Sequence, residues 1–166
     1  AIVATYGPPL FIKPANMGSS VGVHKVKDAQ AFTAAIQDAF RYDHKVLIES
    51  MIHGREVECA VMGNAYPKAS TIGEIVTPEA YSFEAKYVSQ TEAQIIIPAR
   101  LNAATMTALR EVALRAYQAV GCEVLTRVDM CLTESGEIYV NELNTLPGFT
   151  SISMFPKLWE EAGLSF

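Results

Sequence analysis

Residues 124–144, VLTRVDMCLTESGEIYVNELN, constrain the fold of this chain more than any other stretch. Two runs, 124–133 and 137–144, lie on either side of Ser135-Gly136, the arrangement of an antiparallel hairpin. If those two residues form the loop, Glu134 faces Glu137, Asp129 faces Glu142 and Arg127 faces Asn144. Strand side chains alternate between faces, so Arg127, Asp129, Glu142 and Asn144 then share one face, backed by Val128, Met130 and Leu143. Like charges directly opposed, with Cβ atoms about 5 Å apart, repel unless something offsets them. A divalent cation would. Asp, Glu and Asn offer oxygen alone, the preference of Mg²⁺, which commonly takes one or two carboxylates plus phosphate oxygens. Arg127 presents a planar fork of donors suited to a phosphate or an oxyanion. The alternative is a solvated face on which Arg127 merely neutralises the acids.

The chain is long enough to support a core around this hairpin. Its 166 residues can bury about 68–70% of the unfolded surface, and half of them are hydrophobic. Thirteen Lys and Arg against 18 Asp and Glu leave a formal charge of −5, which disfavours nucleic acid or anionic lipid as a partner. No apolar run approaches the roughly 20 residues of a membrane helix. The first ten residues, AIVATYGPPL, lack a basic segment and a cleavage pattern, so a cytoplasmic protein is expected. They read as the approach to a strand, and the start without methionine fits a fragment or a processed product. Cys59, Cys122 and Cys131 are odd in number and set among apolar residues, which predicts reduced packing residues.

Strands are expected at 10–13, 21–26, 45–49, 56–62 and 67–76, and the class is α+β. In 56–62 the alternation puts Glu56, Glu58 and Ala60 on one face, read as outside the core, and Val57, Cys59 and Val61 on the core face. Asp28 caps a helix ending near Tyr42, Asn102 caps one running to Val120 with Gly121 as its stop, and a last helix spans 152–162. Residues 77–91 show no clean period and read as a long loop, a length usually functional or mobile.

Other residues carry chemistry with less specificity. Lys13 precedes Gly18-Ser19-Ser20-Val21-Gly22, a cation followed by backbone N–H groups and hydroxyls able to grip phosphate oxygens, or simply a turn. It is not a P-loop, whose lysine follows the glycines and opens a helix. Glu49 and Glu56 flank Ser50-Met51-Ile52-His53-Gly54, read either as solvated strand ends or as a hinge where Met51 and Ile52 line an adenine pocket. Lys86 is a loop cation or a phosphate ligand carried by a lid. His24, His44 and His53 read as surface residues, and Ser19, Ser20 and Ser153 lack triad partners.

FIKPANMGSSVGV, IESMIHGREVECAV, YSFEAKY and RVDMCLTESGEIYVNELNTLPGFTSISMFPKLW occur in this order over residues 8–166. Together they resemble the carboxy-terminal ATP-grasp part of the D-alanine:D-alanine ligases. The resemblance implies an α+β ATP-grasp fold with two lobes of mainly antiparallel sheet and packed helices. Residues 1–54 would belong to the central lobe and 55–166 to the carboxy-terminal lobe. It implies ATP, with Lys13 and Lys86 on its phosphates, Ser19 and Ser20 in the covering loop, and Glu49, Ser50, Met51 and Ile52 near adenine. Glu56 would bind the ribose, and Asn141 joins the nucleotide set. Asp129, Glu142 and Asn144 would ligate two Mg²⁺ ions, for which Mn²⁺ could substitute. Arg127 and the Gly148 amide would form the oxyanion hole, with Ser19 grouped among the catalytic residues. Ser153 and Met154 would bind the second D-alanine, and Tyr87 would favour an amine as second substrate.

The implied reaction joins two D-alanine molecules through a D-alanyl phosphate, for peptidoglycan precursor synthesis in the cytoplasm, and a homodimer is compatible with the complete enzyme. The family's amino-terminal domain has no counterpart here, so the isolated chain is expected to be incomplete or inactive. The competing expectations are a non-catalytic ATP-binding module and a D-alanyl-D-lactate ligase, against which Tyr87 argues.

Overall fold

The computed structural model describes residues 2–76 and 94–166. Within them the chain forms two compact units, one up to Ile52 and one from His53 onward.

The first unit opens with a short helix, α1 (Ile2–Tyr6), where a strand approach was expected. Strands β1 (Leu10–Pro14), β2 (His24–Val26) and β3 (Val46–Ser50) form an antiparallel sheet in the order β2-β1-β3. Helix α2 (Ala29–Ala39) covers it. Asp28 caps α2 by accepting a hydrogen bond from Ala31 N at 2.9 Å. Its stripe of Phe32, Ala35, Ile36 and Ala39 meets Ile12, Val26, Val46 and Ile48.

Two boundaries differ from the pattern, for one reason. Strand β2 begins at His24 rather than residue 21, because Ser19 (φ 52°), Ser20 (φ 59°) and Gly22 (φ 69°) adopt left-handed backbone. The turn is closed by Val21 N donating to Gly18 O at 3.1 Å. Helix α2 ends at Ala39 rather than near Tyr42, whose ring instead crosses Gly22: a Cβ there would lie 2.6 Å from the Tyr42 ring and 2.9 Å from Pro14 Cγ.

The second unit is a five-stranded antiparallel sheet in the order β6-β5-β4-β7-β8. Its strands are β4 (Arg55–Met62), β5 (Lys68–Val76), β6 (Gln94–Ile96), β7 (Leu125–Leu132) and β8 (Ile138–Asn144). The short β6 carries no pattern in the sequence and forms only by pairing with β5. Helix α3 (Ala103–Ala119), capped by Asn102, lies on one face. Its Leu109, Ala113 and Tyr117 are buried against Val57, Cys59, Val61, Ile72, Val128 and Met130. Each large apolar side chain buried there contributes about 1.5–3 kcal/mol. Cys59 is a packing thiol, its pKa pushed up to about 12 by burial, and the three cysteines are free. None of the described helices is long and apolar enough to cross a membrane.

Helix α4 (Met154–Glu161) lies on the opposite face, where Met154, Phe155 and Leu158 are buried with Ala60. This corrects the reading of the Glu56, Glu58 and Ala60 face as outside the core: Ala60 is fully buried and Glu58 is 5% exposed. Gly73 on β5 admits the helix, since a Cβ there would lie 2.9 Å from Leu158 Cδ2 and 3.0 Å from Met154 Sδ.

The hairpin turn is also corrected. Thr133 N donates to Glu137 O at 2.9 Å and Gly136 (φ 87°) sits in the loop, so Glu134, Ser135 and Gly136 make a three-residue connection. Glu134 therefore does not face Glu137, and near the turn Leu132 pairs with Ile138, Cys131 with Tyr139 and Met130 with Val140. Between Met130 and Asp129 the register shifts by one, leaving Asn141 as a bulge on β8. Beyond it Asp129 pairs with Glu142 and Arg127 with Asn144, as expected. The longer loop displaces the register by one residue and the bulge restores it.

Candidate functional site

The bulge decides what β8 presents. Ile138 and Leu143 pack against the α3 core although one residue number is even and the other odd. An unbroken strand would turn them to opposite faces. With Asn141 unpaired, Glu142 and Asn144 face the same way as Asp129 and Arg127, away from α3.

Strand β4 extends this face. Its register on β7 sets Glu58 opposite Asp129, Ala60 opposite Arg127 and Glu56 opposite Cys131. Three carboxylates, Glu58, Asp129 and Glu142, therefore stand in one row across three strands, with Ala60, Arg127 and Asn144 in the next row of the same face. Arg127 answers the acids directly. Its Nε and Nη2 donate to Asp129 Oδ1 and Oδ2, each at 2.7 Å, a bidentate pair between residues two apart on one strand. Arg127 Nε also lies 3.0 Å from Glu58 Oε2. That oxygen is buried and receives no hydrogen bond, because the Nε hydrogen is spent on Asp129.

The electrostatics follow from burial and crowding. Desolvation first, and then the Asp129 charge, push the Glu58 carboxyl from 4.5 up to about 7, partly opposed by Arg127. Arg127 is held more firmly protonated by its hydrogen bonds to Asp129. Among the described residues, Glu56, Glu58, Asp129 and Glu142 share this face with the single guanidinium of Arg127, so acids outnumber cations on it.

Sequence reasoning placed Glu58 on this face but missed it as a member of the site. The usable signal was its position in mid-strand between apolar residues, while the strand that lies beside it was not readable.

These donors suit a divalent cation: two facing carboxylates and an amide supply all-oxygen coordination, and the buried Glu58 carboxyl behind them adds to the unbalanced charge. Among the described residues, no three His, Cys, Asp or Glu side chains already converge at binding distance. Both Asp129 oxygens are held by Arg127, and Asn144 Oδ1 accepts from Leu146 N at 3.3 Å. After Asn144 the chain turns through Gly148, where a Cβ would lie 3.0 Å from Ser153 Oγ. Ser153 precedes α4 and its Oγ accepts from Thr150 N at 3.1 Å, while Met154 is buried under the helix.

In the first unit, Lys13 on β1 pairs with Glu49 on β3, Nζ to Oε2 2.8 Å, with both side chains partly exposed. Such a pair is worth at most about 1 kcal/mol and opens at little cost. Ser19 and Ser20 occupy the left-handed turn. Ser50 ends β3, Met51 N donates to Pro9 O at 3.2 Å, and Ile52 is exposed. In the second unit Glu56 and Asn141 are exposed. Lys86 and Tyr87 lie outside the described residues. Of the histidines, His24 is not simply a surface residue, since its Nε2 lies 2.8 Å from Asp38 Oδ2.

Comparison with known proteins gives the lineage. A family model described as "D-ala D-ala ligase C-terminus" matches residues 1–166. A D-alanine–D-alanine ligase of Shouchella clausii is 56% identical over 100% of this chain and 45% of its own length. A D-alanine–D-alanine ligase A of Chromobacterium violaceum is 53% identical, over 100% and 46%. Among solved structures, the VanG D-Ala:D-Ser ligase of Enterococcus faecalis has a TM-score of 0.88 at 40% identity, covering 99% of this chain and 48% of that one. The D-alanine-D-alanine ligase of Coxiella burnetii has 0.85 at 38%, covering 99% and 42%. The chain thus spans less than half the length of these relatives, and the α+β ATP-grasp expectation holds. On the family model and on identity over its whole length, the chain belongs to the family of D-alanine:D-alanine ligase carboxy-terminal regions.

Proposed function

We propose that this chain is the nucleotide- and metal-binding portion of an ATP-dependent, ADP-forming ligase that joins two D-alanine molecules through a D-alanyl phosphate, serving cell-wall precursor synthesis. The observation that carries the reading is the register Arg127 to Asn144 and Asp129 to Glu142, which assembles a cation-seeking face beside a rigidly held guanidinium.

Asp129, Glu142 and Asn144 would hold Mg²⁺, two ions in the family pattern. When bound, the metal supplies charge neutralisation at the phosphoryl group. Lys13 and the turn bearing Ser19 and Ser20 would bind phosphate oxygens, with Lys86 joining them. Glu49, Ser50, Met51 and Ile52 would line adenine, Glu56 would accept from the ribose hydroxyls, and Asn141 would contact the nucleotide. Arg127 and the Gly148 amide would donate to the oxyanion formed when the amine of the second D-alanine attacks the acyl phosphate, an interaction that strengthens as charge develops. Ser153 and Met154 would orient that second D-alanine, and Tyr87 would favour an amine there. The residues 1–54 and 55–166 correspond in this reading to the central and carboxy-terminal lobes of the fold, and the complete enzyme is compatible with a cytoplasmic homodimer.

Isothermal titration with ATP, with and without Mg²⁺, tests the proposal. The wild type is expected to bind ATP in a Mg²⁺-dependent way, and Glu142→Ala to weaken that binding at least about tenfold, since loss of an outer-shell partner alone costs that much. Equal, metal-independent binding by both would refute it.

A further inference from the structure

Arg127 and a divalent cation make incompatible demands on Asp129. The guanidinium takes both carboxylate oxygens, at 2.7 Å each. A cation drawing on either oxygen competes for those lone pairs and repels the guanidinium. If Asp129 were the sole anchor of Arg127, loading the metal would dislodge the arginine.

Glu58 is placed to prevent this. It stands directly opposite Asp129 on β4, its side chain is 7% exposed, and Oε2 lies 3.0 Å from Arg127 Nε without receiving a hydrogen. Strands β5 and β7 flank it, and on the β5 side Gly73 lets Met154 and Leu158 of α4 close in. Its carboxylate is thus confined, and its unclaimed lone pairs lie within reach of the donor that Asp129 now occupies.

We propose that Glu58 is a positioning residue for Arg127: when a divalent cation engages Asp129, the Arg127 Nε–H passes from Asp129 Oδ1 to Glu58 Oε2, and the guanidinium stays in place. No covalent bond changes; one hydrogen bond exchanges its acceptor. Glu58 acts through Arg127 and Asp129 and touches neither cation nor substrate. The inference rests on the metal and oxyanion roles proposed above for Asp129 and Arg127.

The test is titration of the whole protein with Mn²⁺ alone, following free Mn²⁺ by electron paramagnetic resonance, for wild type, Glu58→Gln, Glu58→Asp and Glu142→Ala. Glu58→Gln keeps the shape and removes the charge, so Arg127 stays on Asp129 and Mn²⁺ affinity is expected to fall roughly 10–100-fold. Metal-free melting should not fall, and in turnover by the complete enzyme carrying the same substitution kcat should drop more than KM for ATP rises. Glu58→Asp, which keeps the charge, should recover part of the affinity. Affinity and kcat unchanged in Glu58→Gln, with Glu142→Ala impaired, overturn this inference alone. So does an equal loss in both Glu58 variants accompanied by lowered melting temperatures, the mark of a packing role. No Mn²⁺ binding by the wild type overturns the functional proposal and this inference with it.

Discussion

Gly54 has no room for a side chain. A Cβ there would sit 2.5 Å from Leu132 O and 2.6 Å from Cys131 Sγ, so backbone atoms at the end of β7 would have to move. Gly54→Ala is therefore expected to destabilise the protein by about 1–3 kcal/mol, the usual cost of overpacking, measured by urea unfolding. An unchanged midpoint would show that β7 yields freely. The sequence marked Gly54 as a hinge candidate, and the structure adds the steric reason for a glycine. Glu58 shows the reverse case. Its face was legible from strict alternation, but its burial depends on strand β7, which brings Arg127 and Asp129 against it from far along the sequence.

At the level of elements, the β7–β8 hairpin carries the site because two departures from an ideal hairpin offset each other. The loop length was not readable, since Glu134, Ser135 and Gly136 fit a two- or a three-residue loop equally well, and the bulge left only a faint mark, the adjacent polar pair Asn141-Glu142 between apolar Val140 and Leu143. The bulge wins because Ile138 and Leu143 must both reach the α3 core. Deleting Asn141 removes that freedom, so either an apolar residue turns outward or Glu142 turns inward. The deletion is expected to cost at least about 3 kcal/mol in urea unfolding, through a buried unpaired charge, and to abolish Mn²⁺ binding. Retention of both stability and metal binding would mean the register is set elsewhere.

Over the whole molecule, the excess of acids makes low pH a probe of which carboxylates are held by the fold. In the first unit Asp38 lies below its ordinary 3.8, through its hydrogen bond with His24 and, secondarily, that from Arg41. A carboxyl with a depressed folded pKa contributes stability that is present above the unfolded value and lost as pH falls through the folded one. Asp38→Asn should therefore lower the melting temperature at neutral pH, with the difference from wild type shrinking as the pH falls below the ordinary carboxylate value of 3.8 and through the lowered folded one. A difference that persists in acid would assign the effect to packing.

The amino-acid order by itself determined the α+β class, the capped helices beginning after Asp28 and Asn102, the alternation of β4 and β7, and the family, because periodicity, caps and motifs are local properties of a chain. Tertiary structure alone decided the short β6, the burial of Ala60 beneath α4, the bulge at Asn141 and the convergence of Glu58 on Arg127. Each of these depends on which strand lies beside which, and that choice is made by burying apolar surface contributed from across the chain.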